Sequence, residues 1–147
     1  MLPTQLIEWA TWQDLDKYQS FELILLKGHL QIEMFLGVCL RSRAKLIESK
    51  IFNLSFHGKL LKLGAIDCTD GKLSMLLEFA RELNRMRNRL AHEAFAERID
   101  IDLLNWAHDV LDKIPAQRFQ KRTNRTIITH AMSSLAGSLY GYAHSEA

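Results

Sequence analysis

The stretch Lys72-Leu73-Ser74-Met75-Leu76-Leu77-Glu78-Phe79-Ala80-Arg81-Glu82-Leu83-Asn84-Arg85-Met86-Arg87-Asn88-Arg89-Leu90-Ala91-His92 decides how this chain folds. Leu73, Leu76, Leu77, Ala80, Leu83 and Leu90 recur at three- and four-residue steps and make one apolar stripe, the pattern of an amphipathic helix. Arg81, Arg85, Asn88, Arg89 and His92 fall on another side. The spacing predicts a helix from Lys72 to about Phe95, with Asp70 placed to cap its start.

Outward from this helix the same period recurs. Thr11-Trp12-Gln13-Asp14 resembles a capping box and opens a long helical pattern through Tyr18, Phe21, Leu25, Ile32, Phe35, Leu36 and Cys39. Leu23, Ile24, Leu26, Leu30, Met34 and Val38 wrap that pattern nearly all the way round, so it belongs at the centre of a bundle or at an interface. Gly28 and Gly37 interrupt it and would admit a neighbouring backbone closely. A basic bend at Arg41-Ser42-Arg43 leads to a helical stretch from about Ala44 to Asn53, and Ser55 is placed to cap Phe56 to Leu63. Asp100 and Asp102 favour a helix start that Leu103, Leu104, Trp106, Val110 and Leu111 carry to Pro115. A last helix is expected from the basic patch Arg118, Lys121, Arg122 and Arg125 to about Tyr142. No repeat and no strand-like alternation is present, and the expectation is one all-α domain over residues 1–147, a compact bundle of four to six helices.

Composition narrows the class. At 147 residues the chain suits one core. Its 7 glycines and 2 prolines disfavour a turn-rich β-protein. Cys39 and Cys68 have no metal-ligand spacing and read as reduced thiols. The N-terminal stretch carries acids where a signal peptide needs bases. Ala131 to Ala143 is weakly apolar but too short to span a bilayer. A cytoplasmic protein with no membrane partner is expected. The net charge of +2 decides nothing, since a local basic strip can bind phosphate on a nearly neutral protein.

Arg87-Asn88 followed by three residues and His92 is the chemically informative motif. Together with Leu54-Ser55-Phe56-His57-Gly58-Lys59-Leu60 before it, this stretch resembles the HEPN family, the helical RNA-cleaving toxins and defence proteins of prokaryotes. An arginine, often followed by Asn, then a histidine four to six positions later, marks that family. The bare spacing carries little: Arg125 and His130 match it too, but with Thr126 after the arginine and without the helix before it. The resemblance covers roughly Leu54 to Phe95. It implies a helical bundle, a symmetric homodimer, and a metal-independent, cofactor-free endoribonuclease, with Arg87, His92 and Asn88 as site residues. Toxin–antitoxin and antiviral roles follow from the same resemblance, with RNA and an antitoxin protein as partners. Members paired with a nucleotidyltransferase often carry tyrosine two positions after the histidine; here that position is Ala94, so such regulation is not expected.

The residue types suit the chemistry. RNA supplies its own nucleophile, the 2′-hydroxyl, so the protein must move protons and stabilise charge on the phosphorane. Histidine titrates near neutrality, which suits His92 to general acid or base work. Arginine offers a permanently charged planar fork to phosphate oxygens, which suits Arg87 to transition-state stabilisation. Asn88 and His92 lie about 40° apart on a helical wheel, whereas Arg87 and His92 diverge by about 140°. One straight helix therefore cannot aim both at one phosphate. Either the helix bends near Leu90, or a two-fold axis brings two chains' motifs into one cleft.

Each residue has a plainer role to set beside this one. Arg87 would serve as a half-buried arginine paired with Glu22 or Glu33. His92 would serve as a histidine at a helix C-terminus. His29 and Glu33, four residues apart, suit a core or interface hydrogen bond. Arg81, Arg85 and Arg89 would contact an RNA backbone or form a solvated face balanced by Glu78, Glu82 and Glu93. Trp9, Trp12 and Trp106 suit core or interface anchors. The rival function is a non-catalytic HEPN-like module that binds RNA, a nucleotide or a protein.

Overall fold

A computed structural model describes residues 2–66, 70–93, 97–115 and 123–145. These residues form seven helices: α1 (Thr4–Asp16), α2 (Phe21–Arg43), α3 (Glu48–Phe52), α4 (Phe56–Gly64), α5 (Gly71–His92), α6 (Ile99–Lys113) and α7 (Asn124–His144). The all-α expectation holds. The expected helix starts at Ser55 and Asp70 are those observed. Ser55 accepts from Gly58 N–H at 2.9 Å, and Asp70 accepts from Lys72 and Leu73 N–H at 3.0 and 3.1 Å.

The chain's first third departs from expectation. Thr11 is a buried residue inside α1 and not a cap. The long helix starts instead after Ser20, whose side chain accepts from Leu23 N–H. Periodicity alone ran the two helices together because Tyr18 and Phe21 keep a helical step across the break. The stretch expected from Ala44 to Asn53 shrinks to the single turn of α3. Ala44 closes α2, and Lys45 takes a left-handed φ of 56° that no continuing helix tolerates. Of the basic patch expected to open the last helix, Arg118, Lys121 and Arg122 lie outside the described residues, as do Cys68, Ala94 and Phe95; α7 is capped by Thr123.

The core forms around α2. Ile24, Leu25, Ile32, Leu36, Cys39 and Leu40 on this helix have no exposed surface, and α7, α4, α5, α3, α1 and α6 all pack against it. Each of these leucine and isoleucine side chains contributes about 1.5–3 kcal/mol relative to exposure. By length and composition α2, and not the stretch Ala131 to Ala143, would pass for a membrane-crossing helix. In this fold neighbouring helices cover much of its apolar surface, while Leu23, Leu30 and Met34 stay exposed.

The approach of α7 to α2 is set at Gly28. A Cβ there would lie 2.7 Å from the Met132 sulfur, so the small residue admits a side chain of the neighbour, not its backbone. Gly37 does the same for Ile51, 3.3 Å from where its Cβ would stand. Further along the seam the Cys39 thiol donates to Leu139 O at 3.2 Å, and burial pushes its pKa up to about 12.

A thiol held protonated and enclosed is a poor nucleophile. In a Cys68→Ser chain, Cys39 is expected to resist a disulfide reagent at pH 8 and to react at once in denaturant. Fast labelling of the native protein would show that the α2–α7 seam opens.

Candidate active site

α5 carries the motif, and its α-helical course runs unbroken from Gly71 to His92. No break in the helix falls near Leu90, and in regular helical geometry Arg87 and His92 diverge by roughly 140°. Asn88 and His92 are exposed on the outer face. Arg87 is half-buried on the side of α5 that faces α2, between the directions of buried Leu83 and of Asn84. Within one chain the motif residues point to two different places.

The α2–α5 seam beside Arg87 is a polar inclusion in the core. His29 on α2 is 7% exposed, its Nε2 donates to Asn84 Oδ1 at 2.9 Å, and its ring stacks on Phe56 with centroids 4.2 Å apart. Burial, foremost, holds the His29 pKa below its ordinary value. The Arg87 charge acts the same way, while the Asn84 bond and the Glu33 charge oppose it. Glu33, one turn along α2, accepts from Lys59 Nζ at 3.0 Å, and Lys59 also donates to Leu54 O at 2.9 Å.

The expected partnerships are thus redistributed. His29 bonds to Asn84 across the seam and Glu33 pairs with Lys59. Arg87 makes no ion pair and no hydrogen bond among the described residues. Sequence reasoning missed Asn84. Its only signal was position, one helical turn before Arg87 and Asn88 on the α2 side.

The arginines of the outer face are engaged to different degrees. Arg81 pairs with Glu78, which Arg85 also approaches at 3.8 Å. Arg85 remains exposed. Arg89 joins the end of α5 to the start of α6: it donates to Asp102 Oδ2 at 2.6 Å and to Glu97 O at 3.0 Å, with Glu93 at 3.8 Å. Glu82 is held above the usual carboxylate range by partial burial, with Glu78 and Asp109 adding to the effect.

The second sequence match serves the scaffold. Arg125 donates to Asp16 O at 2.8 Å and to Asp16 Oδ1 at 3.1 Å, satisfying the end of α1. His130 is buried and stacked on Trp12, with centroids 5.6 Å apart. Trp106 is a core anchor whose Nε1 donates to Phe79 O at 3.0 Å, whereas Trp9 is 47% exposed. Among the described residues, no group of three or more His, Cys, Asp or Glu side chains is placed to hold a metal.

Compared with protein-family models, curated proteins and solved structures, the chain matches none. The chemistry has to be read from the residues themselves. A half-buried guanidinium without an ion pair among the described residues can hold an anion, and the exposed amide and imidazole of Asn88 and His92, one turn apart on another face, can exchange protons there.

Burial lowers the pKa of both His29 and His130 from 6.5. The unfolded chain therefore takes up protons first as pH falls, and the stability these neutral rings hold above pH 6.5 is lost as pH drops toward their folded values. The urea midpoint is expected to be lower at pH 5.5 than at pH 7.5. Replacing both histidines with Gln should flatten that slope, and an undiminished slope would place the effect on other groups.

Proposed function

We propose that the protein is a metal-independent endoribonuclease of the HEPN type. It acts in the cytoplasm as a homodimer, in a toxin–antitoxin or antiviral role. The observation that carries this function is Arg87. Arg87 is half-buried with no ion pair among the described residues, an arrangement that favours an anionic ligand, and phosphate is the ligand whose geometry and charge match a guanidinium. The Arg-Asn-x3-His wording and the helix from Phe56 that precedes it supply the class of reaction.

In this mechanism Arg87 binds a non-bridging phosphate oxygen and stabilises charge as the 2′-hydroxyl attacks. His92 moves a proton at the attacking or leaving oxygen, and Asn88 orients the imidazole or the phosphate. The 2′-oxygen bonds to phosphorus, the 5′-oxygen departs with a proton, and a cyclic phosphate and a free 5′-hydroxyl result. Of the outer arginines, Arg85 is the freest to meet the RNA backbone. Arg81 and Arg89 would have to share their carboxylate partners to do so.

The divergence of Arg87 and His92 along one unbroken helix supports a composite site made by two chains. So does the outward face of α2. Leu23, Leu30 and Met34 lie within about 40° of one another on the helical wheel and are 43, 56 and 57% exposed. An apolar stripe of this kind beside a functional seam suits burial against a second copy.

Purified protein in excess chelator is expected to cleave RNA to products with cyclic phosphate ends. Arg87→Ala and His92→Ala should each lower kcat by about 10²–10⁴-fold. Unchanged cleavage by His92→Ala would remove it from the site. Mixing the two inactive variants should restore about a quarter of the activity after random exchange of subunits in a two-fold dimer. No recovery despite exchange would place Arg87 and His92 in one chain's site. Salt-sensitive RNA binding without products would favour the binding-module alternative.

A further inference from the structure

His29 lies in a core helix where an apolar residue would pack without a partner, and it is held from two sides. Phe56 of α4 stacks on its ring, and Asn84 of α5 accepts its Nε2 proton at 2.9 Å. A carboxamide oxygen can only accept, so the neutral imidazole carries its proton on Nε2. Asn84 stands three residues before Arg87 and four before Asn88, hence about 60° and 40° from them on the same helix. Apolar packing tolerates small rotations of a helix about its axis. A directed hydrogen bond in a low-dielectric seam does not, because turning α5 would leave both groups buried and unpaired.

We propose that His29 and Asn84 form a positioning pair that sets the direction in which Arg87 meets a bound RNA phosphate; this rests on the ribonuclease function proposed above. The pair locks the rotation of α5 at the turn where the motif begins. It does so without a charge: a carboxylate in place of Asn84 would offer Arg87 a partner one turn away, and a lysine in place of His29 would repel it. The charged groups that face His29 are Glu33 on its own helix, Lys59 on α4 through its pair with Glu33, and Arg87 on α5. Arg87 is the one among them without an ion pair, so it has the most to gain from an anion. An anion on Arg87 would offset its repulsion of a proton on His29, and by linkage a protonated His29 would tighten that anion's binding.

His29→Leu and Asn84→Leu remove the bond, while His29→Gln keeps an amide donor toward Asn84 and cannot titrate. In variants shown to be folded by circular dichroism, the two leucine substitutions are expected to lower kcat by about tenfold or more, the cost of a misdirected group. KM should stay within about threefold of wild type, and His29→Gln should recover most of kcat. Full kcat in folded His29→Leu would overturn the proposal, as would a His29→Gln enzyme as slow as His29→Leu.

The imidazole itself gives a readout independent of activity. In nitrogen NMR of the intact wild-type protein, His29 is expected as the Nε2–H form. Its titration midpoint should move upward in Arg87→Gln and on adding a non-cleavable 2′-deoxy oligonucleotide. An Nδ1–H form, or a midpoint indifferent to Arg87→Gln, would overturn the pair. If wild-type protein cleaves no RNA while these shifts appear, the ribonuclease function fails and the coupling of the pair to Arg87 stands.

Discussion

Ile24, Leu25, Ile32, Leu36, Cys39 and Leu40 lie on α2 without solvent exposure, and each needs a neighbouring helix to cover it. No single partner can enclose a helix that is apolar around most of its circumference. α7 covers one flank, where Gly28 lets Met132 in, and α4 with α5 covers another. The positions of the remaining helices follow from that requirement. α1 is bound to α7 through Arg125 and the carbonyl of Asp16, and α6 is joined to the end of α5 through Arg89 and Asp102.

Enclosing α2 brings a chemical consequence with it. The flank covered by α4 and α5 contains His29 and Glu33, and polar groups taken from water need partners. Asn84 and Lys59 supply them, each from a different helix, so the seam is satisfied by directed bonds that fix how the helices are turned. Arg87 stands at the edge of this arrangement, without an ion pair among the described residues. The partners that complete the seam and Arg87 are therefore neighbours: Asn84 and Lys59 are taken by His29 and Glu33, and none of the four pairs with Arg87.

Several local features were legible because they depend on chemistry within a few residues. Ser55 and Asp70 are caps whose side chains reach backbone N–H groups two or three positions on, and the sequence alone identified both. The apolar stripe of α5 was visible for the same reason. Thr11 failed as a cap because a capping side chain is also an ordinary small polar residue, and no local rule says that a helix has already begun at Thr4. Lys45 could not be foreseen as a helix breaker, since it takes the left-handed position of a helix C-cap that glycine usually fills, with Leu46 N–H donating to Leu40 O at 3.3 Å.

The sequence by itself determined the helical class, the capped starts at Ser55 and Asp70, and the angular divergence of Arg87 from His92. Periodicity and helix geometry are properties of one segment, and they survive whatever that segment packs against. Only the tertiary structure decided the partners. Glu33 lay within reach of His29 and of Arg87 on paper, but it was taken by Lys59 from α4, and His29 turned to Asn84. Side chains distant in sequence compete for one another only once burial has brought their helices together, and that competition gave Glu33 to Lys59 and not to Arg87.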